Sequence, residues 1–548
     1  MMLPVQSAGS LGNLNKFAIE RHWIMDTTIK TEATLDEVKR DTSGIAGHPR
    51  GLMVLFFTEF WERFSFYGLR AILMYYMIKP VTEGGVAFPQ NKASLIFATY
   101  AMSVYLLALP GGFIADRFLG AKLTVLVGGA IIATGHFSMA FPSMPSFYAG
   151  LVLIAIGTGF LKPNISVMVG GLYGENDSRR DSGFSIFYSG INLGAFVSPL
   201  VCGFLAQTAS FQHFLSSVGI DPKTSWHWGF GAAGVGMTFG LITYLSFRGR
   251  LAHVGLKPRE RIPAQTEAQP VKHLYSVPLV GVLIGTSICA FVGTALGGLL
   301  GSLFGSSAAL VGALILGSAG GLCGAITMKV TKTLSHGDWL RIGAIFVFFL
   351  FSIIFWGVYE QAPTTLSLFA DKFTRNEVFG KGFPPSYYQT LQAVFVIILS
   401  PVFGWIWIRL GRREPSSPAK FSYGLFFIAL SILLMVPASM LAASGPVSPI
   451  WLVAVYFISV VGELCLSPVG LSTVTKLAPA RLVGIMMGVW FVSIALGDFI
   501  AGFMSRFFSA DTAILVRLFG LTGVAVLIAM AILALMTPGV RRLMGKVH

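Results

Sequence analysis

Charge is what this 548-residue chain has least of: Asp, Glu, Lys and Arg together make up 11% of it, against 54% hydrophobic residues. Its mean hydropathy is +0.73. A water-soluble protein must keep a largely polar outer layer, so a soluble globular fold is excluded and the bilayer is the solvent. Cysteine is scarce as well. Cys202, Cys289, Cys323 and Cys465 lie far apart inside apolar segments, which excludes a disulfide framework or a C-x-x-C metal site and leaves small buried hydrophobes. The H-E-x-x-H, G-x-S-x-G and Walker patterns are missing, and no polar stretch is large enough to hold a nucleotide, so an enzyme is not expected. No metal site is expected either. A basic n-region followed by an apolar h-region is also lacking in the first ~45 residues. Met1 to Arg40 show no packing period and read as a disordered or start-site extension.

What the chain does have is a succession of apolar stretches of about 20 residues, each long enough to cross a bilayer. Six lie near 51–79, 93–115, 121–141, 146–170, 184–208 and 226–247, and six more near 340–369, 386–409, 420–442, 449–476, 482–505 and 512–537. A polar linker, 248–273, and two Gly-rich apolar segments near 275–303 and 306–328 separate the sets. The domain reading is therefore a tail 1–50, a bundle 51–250, a linker with two added spans 251–335, a bundle 336–540 and a tail 541–548. The 63 glycines suit close helix approach in a membrane.

The net charge of +15 is spread over short loops rather than gathered into a stripe, which argues against nucleic acid. Arg117, Arg179, Arg180, Arg248, Arg250, Arg409, Arg413, Lys476, Arg541 and their neighbours fall on one side of the alternating spans, and fewer bases fall on the other. That asymmetry puts both termini in the cytoplasm. An internal repeat supports two halves. Gly157-x-x-x-Leu161-x-Pro163 matches Gly462-x-x-x-Leu466-x-Pro468, and Ile191-x-Leu193-Gly194-x-Phe196 matches Ile494-x-Leu496-Gly497-x-Phe499. Related halves are a mark of transporters that rock around a central site.

The few charges inside the spans carry the chemistry. Glu59, Glu62, Arg63, Tyr67 and Arg70 fall within an arc of roughly 140° on the first helix. A structural ion-pair ladder would explain Glu59 and Arg63 alone. Lys162, Glu360 and Glu463 add charges at the same depth on other spans. Each costs about 2.5–3.5 kcal/mol at the bilayer centre, so the seven must face one another across a central, partly wet cavity. Glu59, Glu62, Glu360 and Glu463 outnumber Arg63, Arg70 and Lys162. A carboxylate without a basic partner gains from taking a proton, which is what a proton-coupled carrier needs. Pro163 follows Lys162, and Pro468 follows Glu463 by one turn; each frees a backbone carbonyl, and a plain helix kink explains Pro468 equally well.

Glu59-x-x-Glu62-Arg63-Phe64-x-Phe66-Tyr67-Gly68 resembles the E-x-x-E-R-F-x-Y-Y-G motif of the proton-coupled oligopeptide transporters of the major facilitator superfamily. The resemblance extends through Gly112-Phe-Ile-Ala-Asp116-Arg117, Gly157-Thr-Gly-Phe-Leu-Lys162-Pro163-Asn164, Phe187-Tyr188-Ser-Gly-Ile-Asn192-Leu-Gly194, Trp356-x-x-x-Glu360-Gln361 and Gly462-Glu463-Leu-Cys-Leu-Ser467-Pro468, covering about residues 48–540. It implies an all-α membrane protein with the major facilitator fold: two six-helix bundles plus two inserted helices, 14 spans in all. It also implies uptake of di- and tripeptides by proton symport, in a cell inner membrane, by a monomer, with protons as the only cofactor-like species.

Roles follow from the same resemblance. Glu59, Glu62, Arg63, Glu360 and Lys162 would couple protons. Arg70 and Lys162 would hold the peptide carboxylate, with Lys162 able to pair with Glu360. Asn192 and Glu463, near Ser467, would anchor the amino end. Tyr67 and Tyr105 would touch the peptide backbone, and Trp356 and Trp490 would line side-chain pockets unless they are ordinary packing aromatics. Asp116, Arg117, Pro163 and Pro468 would serve gating. Phe66 departs from the motif by one hydroxyl, Tyr359 stands where some relatives carry an acid, and Asp498 is an extra carboxylate without an assigned role. The same fold carrying nitrate or a drug is the alternative, although no histidine lies in the first span.

Overall fold

The computed structural model describes residues 41–174, 177–257, 335–479 and 482–545. The expectations for residues 1–40, the two Gly-rich spans, Cys289 and Cys323 lie outside the described residues.

Among the described residues the protein is all-helical apart from one short hairpin, β1 (Glu377–Val378) with β2 (Lys381–Gly382). The helices are α1 Arg50–Ile78, α2 Gln90–Leu106, α3 Ala108–Ile114, α4 Gly120–Met139, α5 Met144–Gly171, α6 Arg180–Gln207, α7 Ala209–Ser217 and α8 Ser225–Ser246. They continue as α9 His336–Tyr359, α10 Ser367–Phe373, α11 Thr390–Leu410, α12 Ser417–Leu433, α13 Met435–Ala442, α14 Ile450–Leu477, α15 Val483–Met504 and α16 Thr512–Met544. Among the described residues, ten helical stretches are long and apolar enough to cross a membrane. One of them, Gln90–Met139, runs for 50 residues and so exceeds the reach of a single pass. α1 has the length, 29 residues, but carries Glu59, Glu62, Arg63 and Arg70 along it.

Local chemistry sets several boundaries. Ser143 caps α5 by accepting from the Ser146 amide, and Ser335 forms a reciprocal capping box with Asp338 at the start of α9. α9 ends at Glu360 and gives way to a wide π turn, Ala362–Leu366, before α10. Pro363 lies in that turn, where it cannot supply a helical amide hydrogen bond.

Packing sorts the helices into two groups. α1 lies against α6 and α8, α4 against α5 and α8, and α2 against α5. In the second group α12 packs on α14 and α16, and α9 on α15 and α16. The groups meet where α2 lies along α15 and α6 along α11. Close approach within the first group depends on glycine: a Cβ at Gly111 of α3 would come within 2.2 Å of the Gly159 carbonyl oxygen of α5.

One end of the molecule is tied between the groups. Lys79 Nζ lies 3.1 Å from Asp371 Oδ2, and Tyr75 Oη donates to the Ser367 carbonyl at 2.9 Å. Gln90 Nε2 donates to the carbonyls of Ser505 and Phe508, each at 2.7 Å.

Candidate charge cluster in the membrane core

Two arginines on one face of α1, seven residues or about two turns apart, organise the cluster. Arg63 Nε lies 2.7 Å from Glu59 Oε1 and 2.7 Å from Glu62 Oε2, and all three side chains are buried. Arg70 Nη2 lies 2.6 Å from Glu360 Oε2 and 3.4 Å from Asp498 Oδ1. Each guanidinium thus faces two carboxylates, one pair from its own helix and one from the second group.

Phe66 occupies the space between them. Its ring centroid lies 5.4 Å from Cζ of Arg63 and 5.4 Å from Cζ of Arg70, with both cations facing the ring. Where the motif has a tyrosine, the Phe66 ring is 2% exposed and lies against both cations. An electron-rich face stabilises each buried guanidinium.

The predicted Lys162–Glu360 pair is not what forms. Glu360 is taken by Arg70, while Lys162 Nζ sits 3.5 Å above the Tyr105 ring. The reason lies in the packing: α5, which carries Lys162, lies against α2, which carries Tyr105, so the ammonium meets that ring first. Tyr105 accordingly faces Lys162. Lys162 and Glu360 keep part of their surface open, unlike the trio around Arg63.

In the second group, the Tyr359 hydroxyl hydrogen-bonds to the Glu463 carboxylate. The departure at Tyr359 thereby supplies a donor where an acid would have repelled Glu463. Trp356 lies edge-on to Tyr359 at 5.3 Å, and its Nε1 has no hydrogen-bond partner among the described residues. Trp490, by contrast, is 2% exposed and packs on Phe421, so it belongs to the core. Tyr67 is half-buried beside Phe66, and Asn192 Nδ2 donates to the Tyr188 carbonyl one turn earlier on α6. Ser467 is half-buried on α14. α5 continues through Pro163 and α14 through Pro468. Asp116 and Arg117 lie apart from the cluster, exposed on the wide turn Ala115–Leu119 between α3 and α4.

Sequence reasoning assigned no role to Asp498. The signal was present, since a carboxylate buried in the membrane needs a partner. One sequence does not reveal which of three bases turns towards it.

A profile of the POT family matches residues 122–267 and 321–532. The chain is 38% identical over 517 residues to the peptide transporter YePEPT of Yersinia enterocolitica, covering 91% of this chain and 96% of that one. It is 36% identical over 513 residues to the di-/tripeptide transporter of Lactococcus lactis subsp. cremoris, covering 92% and 98%. A crystal structure of a mutant peptide transporter POT in complex with alafosfalin superposes with a TM-score of 0.75 at 37% identity, covering 93% of this chain and 98% of that one. Together with the charge cluster on α1, these matches establish that the chain belongs to the POT family.

Proposed function

We propose that this protein imports di- and tripeptides together with protons by alternating access. The observation that carries the reading is the Arg70–Glu360 bridge, a 2.6 Å ion pair joining the two helix groups within the membrane core. An ion pair that crosses between the groups is a bistable element, because it can be opened by protonating the acid. The relatives named as peptide and di-/tripeptide transporters support the substrate class. The alafosfalin complex of a similar structure supports peptidomimetics as additional cargo.

In this reading α1–α8 and α9–α16 form two six-span bundles, 51–250 and 336–540, in which α2–α3, α9–α10 and α12–α13 each count as one span and the nine-residue α7 lies between spans. The segments near 275–303 and 306–328 add two spans within 251–335, giving 14. The tails 1–50 and 541–548 are cytoplasmic, the membrane is a cell inner membrane, and the monomer is the working unit. The tied end at Lys79–Asp371 faces outward, so the cluster communicates with the cytoplasm. Glu59, Glu62, Arg63, Glu360 and Lys162 move protons; Arg70 and Lys162 take the peptide carboxylate. Glu463, presented by Tyr359, and Asn192 take its amino end, with Ser467 nearby. Tyr67, Tyr105 and Trp356 contact the peptide between them. Asp116, Arg117, Pro163 and Pro468 serve the rocking movement. A peptide is a zwitterion of fixed backbone length, so opposite charges on opposite walls read its ends, while apolar walls tolerate varied side chains.

The test is competition in proteoliposomes with labelled dialanine under an inward pH gradient. Unlabelled di- and tripeptides are expected to suppress uptake, and free alanine and tetraalanine to leave it largely intact. Equal suppression by free alanine, or no uptake at all, would overturn the assignment.

A further inference from the structure

We propose that Asp498 is a second proton-carrying latch on Arg70, so that the bridge between the two helix groups releases only when both Glu360 and Asp498 are neutral. The inference rests on the carrier reading above and adds a coupling residue to it. Both carboxylates address one nitrogen: Arg70 Nη2 is 2.6 Å from Glu360 Oε2 and 3.4 Å from Asp498 Oδ1. Asp498 is 1% exposed, and its Oδ2 has no hydrogen-bond partner among the described residues.

The position of Asp498 is built into the helix crossing. Its neighbour Gly497 is pressed on α9, where a Cβ would come within 2.3 Å of the Trp356 Cβ. Gly357 on the facing helix is similarly tight, its Cβ position lying 3.0 Å from Ile500. Two glycines therefore let α15 lie against the end of α9, which brings Asp498 alongside Glu360.

The groups facing Asp498 are few. α1 supplies Arg70, the end of α9 supplies Glu360, α2 supplies Tyr100 and Tyr105, and α5 supplies Lys162. The charged group of α14, Glu463, is held by Tyr359, and α15 itself carries no other charge. Lys162 lies over Tyr105, so the nearest cation is the shared guanidinium.

One guanidinium neutralises one carboxylate. The trio is electroneutral when a single proton resides on the Glu360–Asp498 pair, and in a low-dielectric interior that proton belongs to both sites. It can pass from the Asp498 carboxyl to the Glu360 carboxylate; an O–H bond breaks at one and forms at the other, and Arg70 stays protonated throughout. Glu360 then lets go while Asp498, now ionised, retains Arg70. A second proton on Asp498 is needed before Arg70 is free to meet a peptide carboxylate.

The measurement is the pH profile of driven dialanine uptake in proteoliposomes for the unaltered chain, Asp498→Asn and Asp498→Glu, together with the proton-to-dialanine ratio. Asp498→Asn is expected to shift the profile towards alkaline, because one protonation at Glu360 then frees Arg70 where the unaltered chain needs two, and to lower the proton ratio. Asp498→Glu is expected to keep the acidic profile. A merely structural role would lower the rate of both variants without moving the midpoint or the ratio, and that result would overturn the proposal. Asp498→Ser, also uncharged, takes the place of the Asn variant if the latter does not assemble. Absence of driven uptake in the unaltered chain would instead strike the carrier reading itself.

Discussion

At the scale of single residues, the cluster stores its charges in shared contacts. Among the described residues Arg63 is the sole base in ion-pair contact with Glu59 and Glu62, and both acids are buried. Removing one member of a buried pair costs about 3–5 kcal/mol, because the partner charge stays behind without compensation. Arg63→Met is therefore expected to lower the thermal unfolding temperature in detergent markedly. Glu59→Gln should cost far less, since Glu62 continues to balance the guanidinium. An Arg63→Met protein as heat-stable as the unaltered one would show that Glu59 and Glu62 are neutral in the folded state. The motif on α1 was legible in the sequence, and so was the excess of acids. What each side chain touches was not. Arg70, not Lys162, takes Glu360, and that choice follows from the packing of α5 on α2, a relation between helices that spacing along one helix does not contain.

At the scale of helices, the helix bounds among the described residues fall within a few residues of most of the apolar stretches, because apolar length is set by bilayer thickness. The breaks inside spans were harder to see. The segment near 340–369 reads as one apolar run, yet Glu360 ends α9 and a wide turn through Pro363 follows. A carboxylate at a helix end can lean towards a neighbour more freely than one in mid-helix, which fits Glu360 reaching across to Arg70. Glycine contacts are the other feature that needs three dimensions. A Cβ at Gly159 of α5 would meet the Leu107 carbonyl carbon and oxygen at 2.7 Å, a backbone that cannot rotate away. Gly159→Ala is thus expected to cost at least ~1–3 kcal/mol, as overpacking of tight interiors does. Reduced yield of folded protein on size-exclusion chromatography would register it, whereas a fully stable Gly159→Ala protein would mean that α3 and α5 lie farther apart.

At the scale of the whole molecule, the two helix groups touch along α2–α15 and α6–α11 and are tied at one end by Lys79–Asp371, Tyr75–Ser367 and Gln90–Ser505. The internal repeat announced the halves, but it could not say which end is closed, because either state uses the same sequence. The Arg70–Glu360 bridge adds an ion pair between the two groups to those contacts. In the proposed carrier cycle, the bridge would persist while its carboxylates are charged, and a peptide carboxylate would compete for the same guanidinium.

That claim is tested most directly by running the cycle backwards from the peptide side. Proteoliposomes holding a pH-sensitive dye, with equal pH on both faces and the membrane potential clamped at zero, receive an outside excess of dialanine. The account predicts that the lumen acidifies as dialanine enters, and that Glu360→Gln diminishes this proton flux. Dialanine entry at an unchanged lumenal pH would contradict it.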